Sequence, residues 1–136
     1  MNDIPGDAER LAAIIEALDR ITELKGTHIV LVEGIKDVTA LESVGVDADF
    51  FCVQSGGGPV KASEHVWRCG KQAIIMTDWD RRGGSLAAAL RENLSSLGVK
   101  YDDMIRSDLS FLCRPFCKDV ESIDSVVALL GERGNQ

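Results

Sequence analysis

His28-Ile29-Val30-Leu31-Val32 is an unbroken apolar run, rich in β-branched side chains, and Glu33-Gly34 follows it at once. A short strand buried on both faces reads this way, and such strands belong to parallel sheets covered on both sides. Outward from it the apolar period changes. Upstream, Leu11, Ile14, Ile15, Leu18, Ile21 and Leu24 recur every three or four residues, an amphipathic helix over 7–25 with Asp7 as N-cap and Gly26 as stop. Downstream, Val38, Leu41 and Val44 predict a helix over 36–44 that ends at Gly45. Asp49-Phe50-Phe51-Cys52-Val53 reads as a second strand, Gln54–Pro59 as a turn, and 60–69 as a helix carrying Val60, His65, Val66 and Trp67. Ala73-Ile74-Ile75-Met76 is the third strand. Leu86, Ala89, Leu90, Leu94 and Leu97 then place a helix over 84–97. Past Gly98 the spacing predicts a fourth strand centred on Met104-Ile105, a short helical turn at Asp108–Cys113 and a closing helix over 119–130. Gly131–Gln136 is expected to fray.

Strands alternating with helices predict right-handed βαβ units, hence an α/β fold with a mainly parallel four-stranded sheet flanked by helices. The length of 136 residues suits one compact domain, and 45% hydrophobic with 27% charged residues excludes wholesale disorder. No apolar run approaches the ~18–20 residues of a membrane span, so no membrane partner is expected. The opening MNDIPGDAER is acidic and lacks an apolar stretch, which predicts a cytoplasmic protein with reduced cysteines. A net charge of −7 disfavours indiscriminate binding to phosphate backbones, yet leaves room for nucleic-acid chemistry in which a divalent cation supplies the positive charge.

Ligands of such sheets bind beyond the carboxyl ends of the strands. There the first strand presents Glu33-Gly34, and the third presents Thr77-Asp78-Trp79-Asp80-Arg81-Arg82-Gly83-Gly84. Asp78 and Asp80, two residues apart, can share a face, and Glu33 on a neighbouring strand would complete a cluster of carboxylates. At pH 7 such a cluster needs a cation or raised pKa values, and hard oxygen donors suit Mg²⁺, with Mn²⁺ able to substitute. Gly34, Gly83 and Gly84 would let the backbone approach phosphate. Lys36, Arg81 and Arg82 would neutralise charge on a transferring phosphoryl group. The plainer alternative stays open: acids after strands cap helices, and Asp37 can simply occupy a first helical turn.

Two segments, His28–Ala40 with Val32-Glu33-Gly34-Ile35-Lys36-Asp37 and Ile74–Gly84 with Thr77-Asp78-Trp79-Asp80-Arg81-Arg82-Gly83, resemble the Toprim domain. That domain is shared by bacterial-type primases, type IA and type II topoisomerases, OLD-family nucleases, 5S rRNA maturases and recombination mediator proteins. The resemblance covers residues 26–130 and is nearest to the small stand-alone Toprim proteins of archaea. It divides the chain into an N-terminal helix over 1–25 packed on the domain, a Toprim domain over 26–131 and a tail over 132–136. It implies Glu33 as general acid/base and metal ligand, Asp78 and Asp80 as Mg²⁺ ligands, and Lys36 and Asp37 as site neighbours. One departure matters: Gly84 stands where the topoisomerase version usually has Glu. Tyr101, the only tyrosine, lies in a polar stretch and is expected to be structural, which argues against an independent topoisomerase.

The expectation is therefore a Mg²⁺-dependent enzyme acting on phosphodiester bonds of DNA or RNA, of nuclease or nucleotidyl transferase type. The alternative is a non-catalytic, metal-dependent nucleic-acid-binding module or subunit of a larger replication, repair or RNA-processing assembly. A phosphohydrolase on a similar scaffold ranks lower, because its Asp-x-Asp would follow the first strand. Cys113-x3-Cys117 lacks the paired spacing of a zinc site, and free core cysteines are expected. Gln54-Ser55-Gly56-Gly57-Gly58 serves either substrate or a tight turn. Trp67 is expected in the core and Trp79 beside the site. Lys61, Arg68 and Lys71 read as a solvated face.

Overall fold

The computed structural model describes residues 5–134. The strand β1 (His28–Val32) is buried at every position, as its composition requires, and lies between β2 (Asp49–Cys52) and β3 (Gln72–Ile75). A two-residue strand β4 (Tyr101–Asp102) pairs beyond β3, so the order is β2-β1-β3-β4 with every pairing parallel. Alternate side chains of the central strands enter opposite layers. Val30, Val32, Ile74 and Met76 face a layer built from α1 (Asp7–Glu23), α2 (Ile35–Ser43), α5 (Met104–Cys113) and α6 (Ile123–Gly134). Ile29, Leu31, Ala73 and Ile75 face α3 (Pro59–Arg68) and α4 (Arg81–Ser96). The N-terminal helix is integral to the first layer. Its Ile14 and Ile21 are fully buried there, each contributing roughly 1.5–3 kcal/mol.

Differences from the sequence reading have local causes. Gly6, not Asp7, occupies the N-cap position of α1, and Asp7 sits in the first turn. The helix α4 begins at Arg81, ahead of the expected residue 84, because Asp80 Oδ1 accepts the Gly83 N–H at 2.7 Å and starts the helix there. Met104-Ile105 opens α5 instead of forming a strand: Asp102 Oδ1 accepts the Ile105 N–H at 3.1 Å, which ends β4 and nucleates the helix. Asp108–Cys113 is the second half of that helix, not a separate turn. The closing segment is a 3-10 turn, Val120–Ser122, followed by α6, which continues to Gly134. Fraying over 131–134 is therefore not seen, and residues 135–136, like residues 1–4, lie outside the described residues. Trp67 is 56% exposed on α3 and is not a core residue. Among the described residues no helix is long and apolar enough to cross a membrane.

Candidate functional site

The chain leaves β1 for β2 on one side and returns to β3 on the other, so the loops after β1 and β3 diverge and open a crevice between them. Glu33 follows β1 and Asp78 follows β3, one on each lip. The Asp78 N–H donates to Glu33 Oε2 at 2.8 Å, so residues 45 apart in sequence are held side by side. Asp78 is fixed from two further directions. Its Oδ1 accepts the Val120 N–H at 2.9 Å, and its carbonyl accepts from Arg106 Nη2 at 2.6 Å. Arg106 Nε also donates to the Thr77 carbonyl at 2.9 Å, and the buried Thr77 hydroxyl donates to the Gly83 carbonyl at 2.8 Å. Strand end, α4 and α5 are thereby clamped together.

The crevice is a cleft of about 370 Å³ into which Glu33, Asp37, Asp78 and Glu121 bring carboxyl groups, with Lys36 and Arg82 as its cations. Crowding shows in the titration. Burial, together with the charges of Glu33 and Asp37, pushes the Asp78 carboxyl up to about 7, against the opposing pull of the Val120 N–H. Burial likewise raises Asp37, with Glu33 and Glu121 adding to it, although the Gly34 N–H donates to Asp37 Oδ2 at 3.0 Å.

Other predicted site residues are placed differently. Asp80 is exposed and committed to capping α4, and it does not line the cleft. The expected Glu33–Asp78–Asp80 trio is therefore not assembled, because one carboxylate is engaged by the helix start. Among the described residues no three His, Cys, Asp or Glu groups are gathered tightly enough to hold a metal ion between them. Glu33 and Asp78 do form a hard-oxygen pair. Mg²⁺ commonly takes about one or two carboxylates and completes its shell with water and substrate phosphate. Arg81 is exposed on the first turn of α4, and the cleft takes Arg82 in its place. Gly83 is buried with its N–H held by Asp80, so it seats the helix against the strand end rather than meeting phosphate. Gly34 lines the cleft, but its N–H is engaged by Asp37.

Glu121 and Arg106 escaped the sequence reading. Glu121 reaches the cleft only because the segment before α6 docks on Asp78. Arg106 lies on α5, whose first residues, Met104-Ile105, the apolar spacing assigns to a strand. Trp79 braces that same segment: its N–H donates to the Lys118 carbonyl at 3.1 Å and its Nε1 to the Cys117 carbonyl at 2.8 Å. The ring packs against the first core layer. A second hollow, of about 230 Å³, opens beside Glu33 between Gln54, Arg82 and the apolar Val53, Pro59 and Leu86. The cysteines are free thiols: Cys113 buried, Cys52 and Cys117 half-buried, Cys69 exposed.

No family model matches the chain. A UPF0292 protein of Methanosarcina barkeri is 35% identical over 131 residues, 96% of this chain and 91% of the relative. One from Methanocaldococcus jannaschii is 34% identical over 119 residues, 88% of this chain and 91% of its own. One from Pyrococcus horikoshii is 31% identical over 124 residues, 89% of this chain and 84% of its own. A solved protein structure from Aquifex aeolicus superposes with a TM-score of 0.65 over 79% of this chain and 94% of that one, at 21% identity, a likeness of fold. With relatives of that identity matched along nearly their whole length, the chain belongs to the UPF0292 family.

Proposed function

We propose that this protein is a Toprim-type, Mg²⁺-dependent cytoplasmic protein acting on nucleic-acid phosphodiester bonds, as a nuclease or nucleotidyl transferase. The observation that carries the reading is the 2.8 Å contact that sets Glu33 beside Asp78 at the point where the strand order reverses. The donor chemistry fits the ion: two carboxyls within hydrogen-bonding reach, one of them raised to about 7 by burial and its acidic neighbours, form a locus that a cation would relieve. Glu33 and Asp78 would hold Mg²⁺, and the ion would supply a Lewis acid for a phosphoryl oxygen. Glu33 also moves a proton to or from the reacting oxygen. Lys36 and Arg82 balance phosphate charge at the cleft wall. Asp80 acts through its cap, setting the first turn of α4 that carries Arg82.

The test is a Mg²⁺ titration by calorimetry together with a turnover screen on labelled DNA and RNA, in Mg²⁺ and in Mn²⁺. Wild type should bind the ion and cleave or extend a substrate; Glu33→Gln and Asp78→Asn should lose turnover while keeping the circular dichroism spectrum. Binding without turnover on any substrate would leave a metal-dependent binding module. Full activity in either variant would remove the assignment altogether.

A further inference from the structure

We infer that the apolar hollow beside Glu33 is a nucleobase subsite, receiving the base of the nucleotide whose phosphate lies at Arg82. This rests on the metal-dependent phosphodiester reading above and extends it to substrate recognition. The hollow adjoins the acidic cleft, since Glu33, Gln54 and Arg82 line both. The two ends differ in chemistry. The cleft gathers carboxyl groups, whereas in the hollow Glu33 is the one acidic side chain among the lining residues. The far walls are Val53, the Pro59 ring at the start of α3, and Leu86 on α4. Of these Val53 is buried, and the partly exposed Pro59 ring and Leu86 side chain are the uncharged surfaces against which a flat π-face can stack, as base recognition without sequence reading requires.

The polar groups stand where a nucleotide needs them. Arg82 is exposed on the first turn of α4 and makes no ion pair among the described residues, so its guanidinium can take a phosphate. Gln54 is exposed at the junction, and its amide offers a donor and an acceptor to a base edge or sugar. The wall stays open at Gly58, whose φ of +92° strains any side chain and whose Cβ direction is empty. Its N–H donates to the Val53 carbonyl at 2.9 Å, which holds the turn in place. A phosphate has no cation to meet deep in the apolar end. In the acidic end a base would meet one apolar side chain, Ile35, among four carboxyl groups. One nucleotide satisfies both.

The experiment compares adenosine 5′-monophosphate with ribose 5-phosphate in saturating Mg²⁺, by calorimetry and by amide chemical shifts of ¹⁵N-labelled protein. The nucleotide should bind about tenfold or more tightly than the sugar phosphate and should shift Val53, Gln54 and Gly58. Leu86→Ala should bring the two affinities within about threefold of each other, and Arg82→Ala should weaken both alike. The shift map of the wild type stands even if Leu86→Ala unfolds. Equal affinity for the two ligands, or shifts confined to other elements, overturns the subsite while Mg²⁺ binding still supports the phosphodiester reading. Failure of the wild type to bind Mg²⁺ overturns that reading, and the subsite with it.

Discussion

Gly83 and Gly84 are adjacent, both lie in the first turns of α4, and the structure assigns them opposite responses to alanine. A Cβ on Gly83 would stand 1.9 Å from the Asp78 carbonyl oxygen, 2.4 Å from its carbon and 2.8 Å from its Cα, all backbone atoms that cannot rotate away. Ordinary contact begins near 3.4 Å, so the start of α4 would have to retreat by about 1.5 Å. Overpacking of that kind costs about 1–3 kcal/mol. The retreat also loosens the Asp80 cap and the Thr77–Gly83 hydrogen bond, each worth about 1 kcal/mol. Against this, alanine gains about 1 kcal/mol of helix propensity, leaving Gly83→Ala destabilised by about 2–4 kcal/mol. Gly84 has nothing within 4 Å of its Cβ position, so Gly84→Ala should stabilise by about 0.5–1 kcal/mol. For a domain of this size each kcal/mol moves Tm by about 3–5 °C. Thermal unfolding followed by circular dichroism should therefore show Gly83→Ala lower by about 6–20 °C and Gly84→Ala higher by a few degrees, with urea midpoints moving the same way. A Gly83→Ala protein melting within about 2 °C of wild type would refute the claim that α4 is seated directly on the strand end that carries Asp78.

Three further outcomes follow from the same geometry. Asp80→Ala should lose about 1 kcal/mol of stability while Asp80→Asn keeps most of it, and Asp80→Asn should bind Mg²⁺ within about threefold of wild type. A tenfold loss in Asp80→Asn would restore Asp80 as a ligand. The Asp78 carboxyl is raised from 3.8 to about 7, so its protonated form favours the folded chain fully below pH 4, and that contribution is lost as the pH climbs through 7. Metal-free Tm should thus fall between pH 5 and 8 in wild type and stay flatter in Asp78→Asn, while Mg²⁺ affinity rises with pH; a flat wild-type profile would sink this. Arg106→Met strips donors from the Thr77 and Asp78 carbonyls and should cost about 2–3 kcal/mol by urea unfolding, with Arg106→Lys only partly restoring it. An unchanged midpoint in Arg106→Met would show that the clamp carries no weight.

The strand His28–Val32, a third strand over Ala73–Met76 that lies one residue beyond the observed Gln72–Ile75, the alternation of helix with strand, and the rim on which Glu33 and Asp78 meet are all legible in the sequence. Burial on both faces leaves a continuous apolar run, and an amphipathic helix leaves a period of about 3.6, whatever the chain does elsewhere. The parallel sheet then follows from the alternation, whereas the order β2-β1-β3-β4, with its reversal between β1 and β3, comes from the tertiary structure. What an acidic side chain does at a strand end was not legible. Asp80 looked the same as a cap or as a ligand, and the choice fell to the Gly83 N–H at 2.7 Å. Glu121 and Arg106 entered the site, and Asp102 ended β4 and started α5, through contacts that periodicity does not encode. Apolar burial is a property of one element and its pattern. The partner of a carboxylate is decided by which backbone donors arrive beside it, some of them 42 residues away as with Val120 on Asp78, and only the folded chain brings those together.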